Sequence, residues 1–357
     1  MRRKVGWTVE VLFHNGATHR VGEGGVDLSI IIVNWNSKEF LLRCLESIAQ
    51  AQGPFSMETI VIDNGSSDGS VDAVKGRILG CHLIENQENL GFAKATNQGM
   101  REAQGRYILL LNPDTTVSRE ALEKLIAFMD KTPEAGIAGV QLLNGDGSKQ
   151  NSIANFPCLT TELLNKRLLR WLFPKRFPGK ERDYSNPIEV DSVIGAAMMV
   201  RRRAIEEVGN LDEDYFLFLE ETDWCYRMKK KGWKIFHLPQ VEICHFQGKS
   251  VATEKKRAKV EYYRSRYLFF KKNRGPLSCL VLRGGLVARL AFEVIGTGLL
   301  CFLTFFTRRE WTRRLSLFVY LMAWHLKWCP EGMGLRPKGS GGELGGELGG
   351  GLGEDRD

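Results

Sequence analysis

Through the first half of the chain, unbroken apolar runs alternate with segments of helical period. LSIIIV (Leu28–Val33) is continuously apolar, as a strand buried on both faces requires. Beyond NWNS, Leu41, Leu45 and Ile48 recur at spacings of four and three, one face of a helix. TIVI (Thr59–Ile62) reads as a second strand running into the turn-rich DNGSSDGS. CHLI, a helix from Phe92 to about Ala103, and the strand YILLL (Tyr107–Leu111) follow, the last ending at NPDT. This alternation predicts an α/β domain, a doubly wound and mostly parallel sheet with ligands at the carboxyl ends of its strands.

The second half is less regular. Ser118 is placed to cap a helix running to Asp130, and Asn144–Gly147 reads as a hairpin-like turn. VDSVIGAAMMVRR predicts a strand and then a helix stopped by Gly209. Glu220–Lys231 predicts a helix stopped by Gly232, and two short strands are expected around KIFHL and VEICH. The expected organisation is a poorly ordered leader over 1–27 and a main domain over 28–255. A basic and apolar helical region over 256–333 and a disordered Gly-rich tail over 334–357 complete it.

Composition narrows the partners. A chain of 357 residues with 43% hydrophobic content accommodates one large α/β domain plus appendages. The formal charge of +8 calls for an anionic partner, and the positive residues concentrate between Lys249 and Arg314, interleaved with apolar and aromatic runs. That pattern points to an anionic membrane surface and away from nucleic acid. None of the eight cysteines forms a CxxC or zinc-type spacing, which fits reduced cysteines in a cytosolic setting. The basic N-terminus lacks the apolar core of a signal peptide.

Between Leu277 and Phe306 the apolar run is broken by Arg283, Arg289 and Glu293, and its longest uncharged stretch, Val294–Thr307, has 14 residues. That is short of the ~20 needed to cross a bilayer. The expectation is two amphipathic or shallowly re-entrant helices on the cytoplasmic leaflet, with Lys271, Lys272 and Arg274 toward anionic lipid. The alternative is a soluble helical cap.

Four clusters carry candidate chemistry. Asp63–Asn64–Gly65–Ser66 follows the second strand, where a carboxylate can accept from a pyrimidine N–H; by itself DNGS is more often an Asx turn. Asn112–Pro113–Asp114 ends YILLL, where oxygen ligands two residues apart can hold Mg2+ or Mn2+; Pro-Asp is equally a turn pair. Glu220, Glu221 and Asp223 crowd three carboxylates into four positions beside Trp224. Repulsion there raises at least one pKa, as a general base requires, while Asp223 has the alternative of pairing with Arg227. His245 ends a strand in CHFQGKS, ahead of Gly248 and Ser250.

Taken in order, IIIVNWNS, VIDNGSSDGS, NQENLGFAKATNQG, ILLLNPDT, GAAMMVRR…VGNLDEDYFLFLEETDWCYR and HFQGKS resemble a family 2 glycosyltransferase of the bacterial rhamnosyltransferase-like branch, with the GT-A fold. The resemblance covers about two-thirds of the chain, from Leu28 to Ser250. It implies that Val33, Asn34, Trp35 and Asp63 hold the nucleotide base, and that Asn89, Gly91, Phe92 and Asn97 close over the donor. Asn112 and Asp114 match the metal-binding DxD, and His245 stands where a metal or phosphate ligand occurs. Asp212 and Glu213 precede the acceptor loop, Glu220, Asp223 and Trp224 fall on the acceptor side, and Glu221 takes the place of the catalytic base.

Two positions depart from the pattern: asparagine begins the DxD, and glutamate stands where an aspartate base is frequent. The implied activity is a single inverting displacement from a nucleotide-sugar donor, dTDP-rhamnose or a UDP-hexose, to a cell-envelope glycan or lipid-linked acceptor. A processive polysaccharide synthase is disfavoured by the absence of QxxRW, and a nucleotidylyltransferase by the absence of a GxGxR loop. A catalytically inactive glycan-binding or scaffolding relative is the alternative that Asn112 favours.

Overall fold

The computed structural model describes residues 25–77, 80–164, 184–247 and 254–336. Most of the expected leader, the Gly248 and Ser250 positions and the tail beyond residue 336 lie outside the described residues. The chain divides into two compact units, one of residues 1–157 and 165–253, the other of 158–164 and 254–357.

In the first unit, the apolar runs form a mixed sheet. Its strands are β1 (Leu28–Asn34), β2 (Met57–Asn64), β3 (Cys81–Asn86), β4 (Tyr107–Leu111), β5 (Thr115–Thr116), β6 (Ala135–Leu143), β8 (Ile188–Glu189), β10 (Ala197–Arg201) and β11 (Lys234–His245); β7 (Ile153–Ala154) and β9 (Ser192–Val193) make a separate small pair. The order is β3-β2-β1-β4-β10-β6-β11-β5, with β8 added on β11. β3, β2, β1 and β4 are mutually parallel, whereas β10 runs antiparallel between β4 and β6.

Alternate residues of each strand serve opposite layers. Leu28, Ile30 and Ile32 face a core filled by Leu41, Cys44, Leu45 and Ile48 of α1 (Lys38–Gln50) and by Leu122, Leu125 and Met129 of α4 (Arg119–Lys131). Ser118 caps α4 through its hydroxyl, which accepts from Ala121 N at 3.2 Å. Ile31, Ile60 and Ile62 face the other layer. There they meet α3 (Phe92–Glu102), α6 (Arg202–Val208) and α7 (Glu220–Lys230). α2 (Ser70–Arg77) follows the β2 turn. α3 lies close on the sheet because Gly99 leaves room: a Cβ there would sit 2.8 Å from Ile62 Cδ1 and 2.9 Å from Ile31 Cγ2.

KIFHL and VEICH are one strand rather than two. β11 runs from Lys234 to His245, and its pairing with β6 shifts register between Leu238 and Glu242. The shift spans Pro239, which has no N–H to give a ladder, so the strand is irregular there without ending.

The second unit contains α5 (Leu159–Leu163), α8 (Lys255–Asn273), α9 (Pro276–Leu303) and α10 (Arg309–Leu326). Its interior carries charge: Glu162 pairs with Arg266, and Glu261 accepts from Arg264 Nη1 at 2.8 Å and from Leu335 N at 3.0 Å. Tyr267 OH meets His325 Nε2 at 2.8 Å, and the Tyr267 ring stacks on Trp324.

α9 changes the sequence picture of the apolar region. Arg283, Arg289 and Glu293 do not break it; they sit within one continuous helix of 28 residues, about 42 Å long at 1.5 Å per residue. It is long and apolar enough to cross a membrane by length and composition. Helical geometry lets the charged positions fall among apolar turns, which a count of consecutive uncharged residues misses.

Candidate active site

The site assembles at the carboxyl ends of β1, β2 and β4. Asn34 and Asp63 are register partners at the ends of β1 and β2, and Asn34 Nδ2 donates to Asp63 Oδ1 at 3.0 Å. Asp63 Oδ2 accepts from Ser66 N at 2.9 Å, and Ser66 Oγ accepts from Asn36 N at 2.9 Å, tying the DNGS turn to the NWNS loop. Asn34 Oδ1 is buried without a hydrogen-bond partner among the described residues. An unpaired buried acceptor is expensive unless a ligand donor meets it. Val33 and Trp35 flank this pair half-buried.

The NLGF segment is held between the end of β2 and the Phe216 backbone. Asn64 Nδ2 donates to Asn89 Oδ1 at 2.9 Å, and Gly91 N donates to the same oxygen at 2.9 Å. Gly91 has φ +87°, and a Cβ on it would come within 2.7 Å of the Phe216 carbonyl oxygen, which accepts from Phe92 N at 2.7 Å. Only glycine fits that contact. Asn97 is drawn into the same clamp: its Nδ2 donates to Leu211 O and to Glu213 Oε1, both at 2.9 Å. The buried Asn97 thus holds the Asp212–Glu213 loop onto α3. Asp212 Oδ1 in turn accepts from Asp214 N at 3.1 Å, closing the loop's own turn.

Asp114 and His245 come together, although 131 positions apart in sequence (245 minus 114). Residue pairing between β5 and β11 sets Thr115 opposite His245, and Phe246 N donates to Asp114 O at 2.8 Å. Asp114 Oδ1 then lies 3.3 Å from His245 Nε2. The other ring nitrogen, Nδ1, is 3.0 Å from Gln150 Oε1. Asn112 is anchored from the strand side, where its N–H donates to Ala196 O at 2.9 Å. Cys44, buried beneath, has its thiol pushed up to about 12 by desolvation, so it is an inert neighbour.

A carboxylate oxygen and an imidazole nitrogen this close suit one Mn2+ or Mg2+ ion that takes its remaining ligands from a diphosphate. Among the described residues no group of three or more His, Cys, Asp or Glu side chains gathers as a closed metal cage. An open pair is what a cation shared with a substrate needs.

The acidic helix start resolves into different roles. Asp223 is buried and accepts from Arg227 Nε at 2.8 Å, the i, i+4 pairing that was its alternative. Trp224 is 0% exposed, with its indole N–H donating to Gly209 O at 2.8 Å. α7 turns these two positions into the core. Phe218 and Leu219, at φ 71° and 65°, hold a left-handed bend just before α7. Such a bend is unfavourable for side chains with a Cβ, and where it persists it marks a built feature.

Glu220 and Glu221 both have raised pKa values. For Glu220 burial is the first cause and the Glu221 charge the second, and its pKa lies well above the usual carboxylate range. For Glu221 burial raises the value, while N–H groups of the helix start and the Thr222 hydroxyl draw it back. Burial thus disfavours the charged form of both carboxylates, and the Glu221 charge adds to the effect on Glu220. Glu221 Oε2 has no hydrogen-bond partner among the described residues. Gly195 packs beside it: a Cβ at 195 would lie 3.4 Å from Glu221 Cβ and Cγ, in ordinary van der Waals contact. Gly195 directly precedes Ala196, whose carbonyl holds Asn112, so one short segment links the carboxylate to the Asn112–Asp114 turn.

Sequence reasoning passed over Gln150 and Gly195. The first lies in an irregular stretch, and the second is one small residue in GAAMMV whose neighbour becomes visible only in three dimensions.

Known proteins bear on this arrangement. The chain is 27% identical over 283 residues to the N-acetylglucosaminyl-diphospho-decaprenol L-rhamnosyltransferase of Mycobacterium tuberculosis, covering 73% of this chain and 91% of that protein. It is 28% identical over 258 residues to a dTDP-rhamnosyl transferase of Shigella flexneri, covering 69% and 81%. Among solved structures, a mannosyltransferase of Pyrobaculum calidifontis in complex with GDP-Man and Mn2+ superposes with a TM-score of 0.51 at 16% identity, covering 84% of this chain and 86% of that one; this likeness concerns the GT-A fold alone. The sequence model for glycosyl transferase family 2 matches residues 29–209. With that match over half the chain, this protein belongs to glycosyl transferase family 2 and is a glycosyltransferase.

Proposed function

We propose that this glycosyltransferase moves a sugar, rhamnose first among candidates, from a nucleotide-sugar donor to a cell-envelope glycan or lipid-linked acceptor in one inverting displacement. The observation that carries the proposal is Glu221: a desolvated carboxylate with a buried, unpartnered oxygen, packed beside Gly195 and joined through Ala196 to Asn112. Its place suits a base that takes the proton of an acceptor hydroxyl as the oxygen attacks the sugar. Asn34 and Asp63 present acceptors to the base of the donor, and Asp114 with His245 holds the diphosphate end. A bound divalent cation would neutralise charge on the departing diphosphate. The relatives' names give a decaprenol-linked acceptor in one case and a dTDP-rhamnosyl donor in the other, which supports this choice of substrates.

Thermal melting with dTDP-rhamnose, UDP-glucose and UDP-N-acetylglucosamine, each with and without Mn2+, tests the donor. A ligand at 100 times its Kd stabilises the native state by about 2.7 kcal/mol. The largest rise is expected with dTDP-rhamnose plus Mn2+. No rise with any nucleotide sugar overturns the donor reading and favours the inactive relative, for which Asn112 in place of a DxD aspartate speaks.

We infer further that the second unit meets an anionic membrane surface on the cytoplasmic side. Phe302, Phe305 and Phe306, at the α9–α10 turn, are 69%, 84% and 58% exposed, and Arg308, Arg309 and Arg313 follow them exposed. Apolar side chains beside a cationic cluster fit the boundary between acyl chains and lipid phosphate. Full-length protein is expected to sediment with vesicles containing phosphatidylserine, with high salt releasing it only in part, since apolar burial is not screened. Phe305→Asp with Phe306→Asp is expected to release most of it. Equal sedimentation of wild type and double variant removes the turn from the membrane contact.

A further inference from the structure

We propose that Gln150 is a positioning residue that decides which nitrogen of His245 faces Asp114. The inference rests on the reading that Asp114 and His245 share a cation, and it concerns a residue that never touches that ion.

The Gln150 amide is held by carbonyl acceptors. Its nitrogen stands 2.5 Å from His245 O, 2.8 Å from Asn144 Oδ1 and 3.2 Å from Leu143 O. His245 O and Leu143 O are backbone carbonyls, which only accept. Rotating the amide by half a turn would set Gln150 Oε1 against them, oxygen to oxygen, so its orientation is fixed by its partners. The backbone is equally held: Gln150 N donates to Leu142 O at 2.7 Å, and Gln150 O accepts from Gln141 Nε2 at 2.9 Å.

With the amide so held, Gln150 Oε1 points at His245 Nδ1 from 3.0 Å and must accept from it. The neutral imidazole then carries its hydrogen on Nδ1 and its lone pair on Nε2, the atom 3.3 Å from Asp114 Oδ1. A lone pair aimed at a carboxylate oxygen is unfavourable in isolation and favourable with a cation between them. The opposite tautomer would let His245 donate to Asp114 and close the pair on itself, withdrawing both from metal. A glutamine amide from the turn after β6 thus keeps the pair open, as outer partners of ligating histidines do elsewhere.

The test uses the full chain labelled with 15N-histidine, the His245 signal being assigned with His245→Gln. Nitrogen spectra at mildly alkaline pH report the neutral tautomer directly. Wild type is expected to carry hydrogen on Nδ1, and Gln150→Met to shift toward the Nε2–H form. Free Mn2+, followed by its electron paramagnetic resonance signal in the presence of a nucleoside diphosphate, is expected to bind Gln150→Met about 10- to 100-fold more weakly. An Nε2–H tautomer in wild type overturns the proposal, and this measurement stands even where Gln150→Met does not fold. Unchanged Mn2+ affinity in a folded Gln150→Met, checked by thermal melting, overturns it too. Wild type with an Nδ1–H tautomer and no Mn2+ binding instead overturns the metal reading of Asp114 and His245, so the two failures are distinguishable.

Discussion

Replacing Glu221 with glutamine is expected to lower turnover by about 10²- to 10⁴-fold, the usual contribution of a general base. The amide is nearly isosteric, and it retains one oxygen to accept from the helix-start N–H groups and Thr222 that now hold the carboxylate. Donor binding and melting temperature are therefore expected to stay close to wild type. What disappears is the basic lone pair at the unpartnered Oε2. The pH profile supplies an independent readout. Burial raises the Glu221 pKa above the ordinary 4.5, and a base acts only when deprotonated. Wild-type kcat should accordingly fall as pH decreases through that raised value, and the residual activity of the variant should lack this limb. Glu220 is the control. It is the more deeply buried partner, and burial with the Glu221 charge holds its pKa well above the usual carboxylate range, so Glu220→Gln is expected to retain most activity. A crippled Glu220→Gln beside an active Glu221→Gln would reverse the assignment.

Asp114→Ala is expected to abolish the metal-dependent part of nucleoside diphosphate binding. Losing a partner outside the ligand shell already weakens metal sites by about 10- to 100-fold, and losing the carboxylate itself should exceed that. The local backbone should persist, because Phe246 N bonds to the Asp114 carbonyl and not to its side chain. Isothermal titration of a nucleoside diphosphate with and without Mn2+ separates the contributions: wild type should gain affinity with the ion and Asp114→Ala should not. Asn112→Ala should lose less, since an amide offers a neutral oxygen. Equal affinities of wild type and Asp114→Ala in Mn2+ would remove Asp114 from the site.

Much of the first unit was legible in the chain because its signals are local. The run Leu28–Val33 must be a strand buried on both faces, and the three- and four-residue spacing of Leu41, Leu45 and Ile48 places α1 against it. Where the runs stop, Asp63, Asn112 and Asp114 stand at strand ends, which in an α/β sheet is where ligands bind. The hydroxyl of Ser118 caps its helix as the sequence suggests.

Other features depended on which distant residues meet. Local pattern shows EETDWCYR as an acidic helix start; only packing turns Trp224 and Asp223 inward and leaves Glu221 with a buried, unpartnered oxygen. Asn97 reads as part of a donor loop, but its partners, Leu211 and Glu213, are more than a hundred positions away. Pro239 divides an apolar pattern that the ladder with β6 carries through as one strand. Asp114, Gln150 and His245 lie in three separate stretches, joined by the pairing of β5 with β11 and by the turn after β6. The sequence by itself determined the elements and the strand ends, because periodicity and capping act between neighbours. The tertiary structure decided hydrogen-bond partners and exposure, because each depends on a side chain brought from elsewhere and on how much water that meeting excludes.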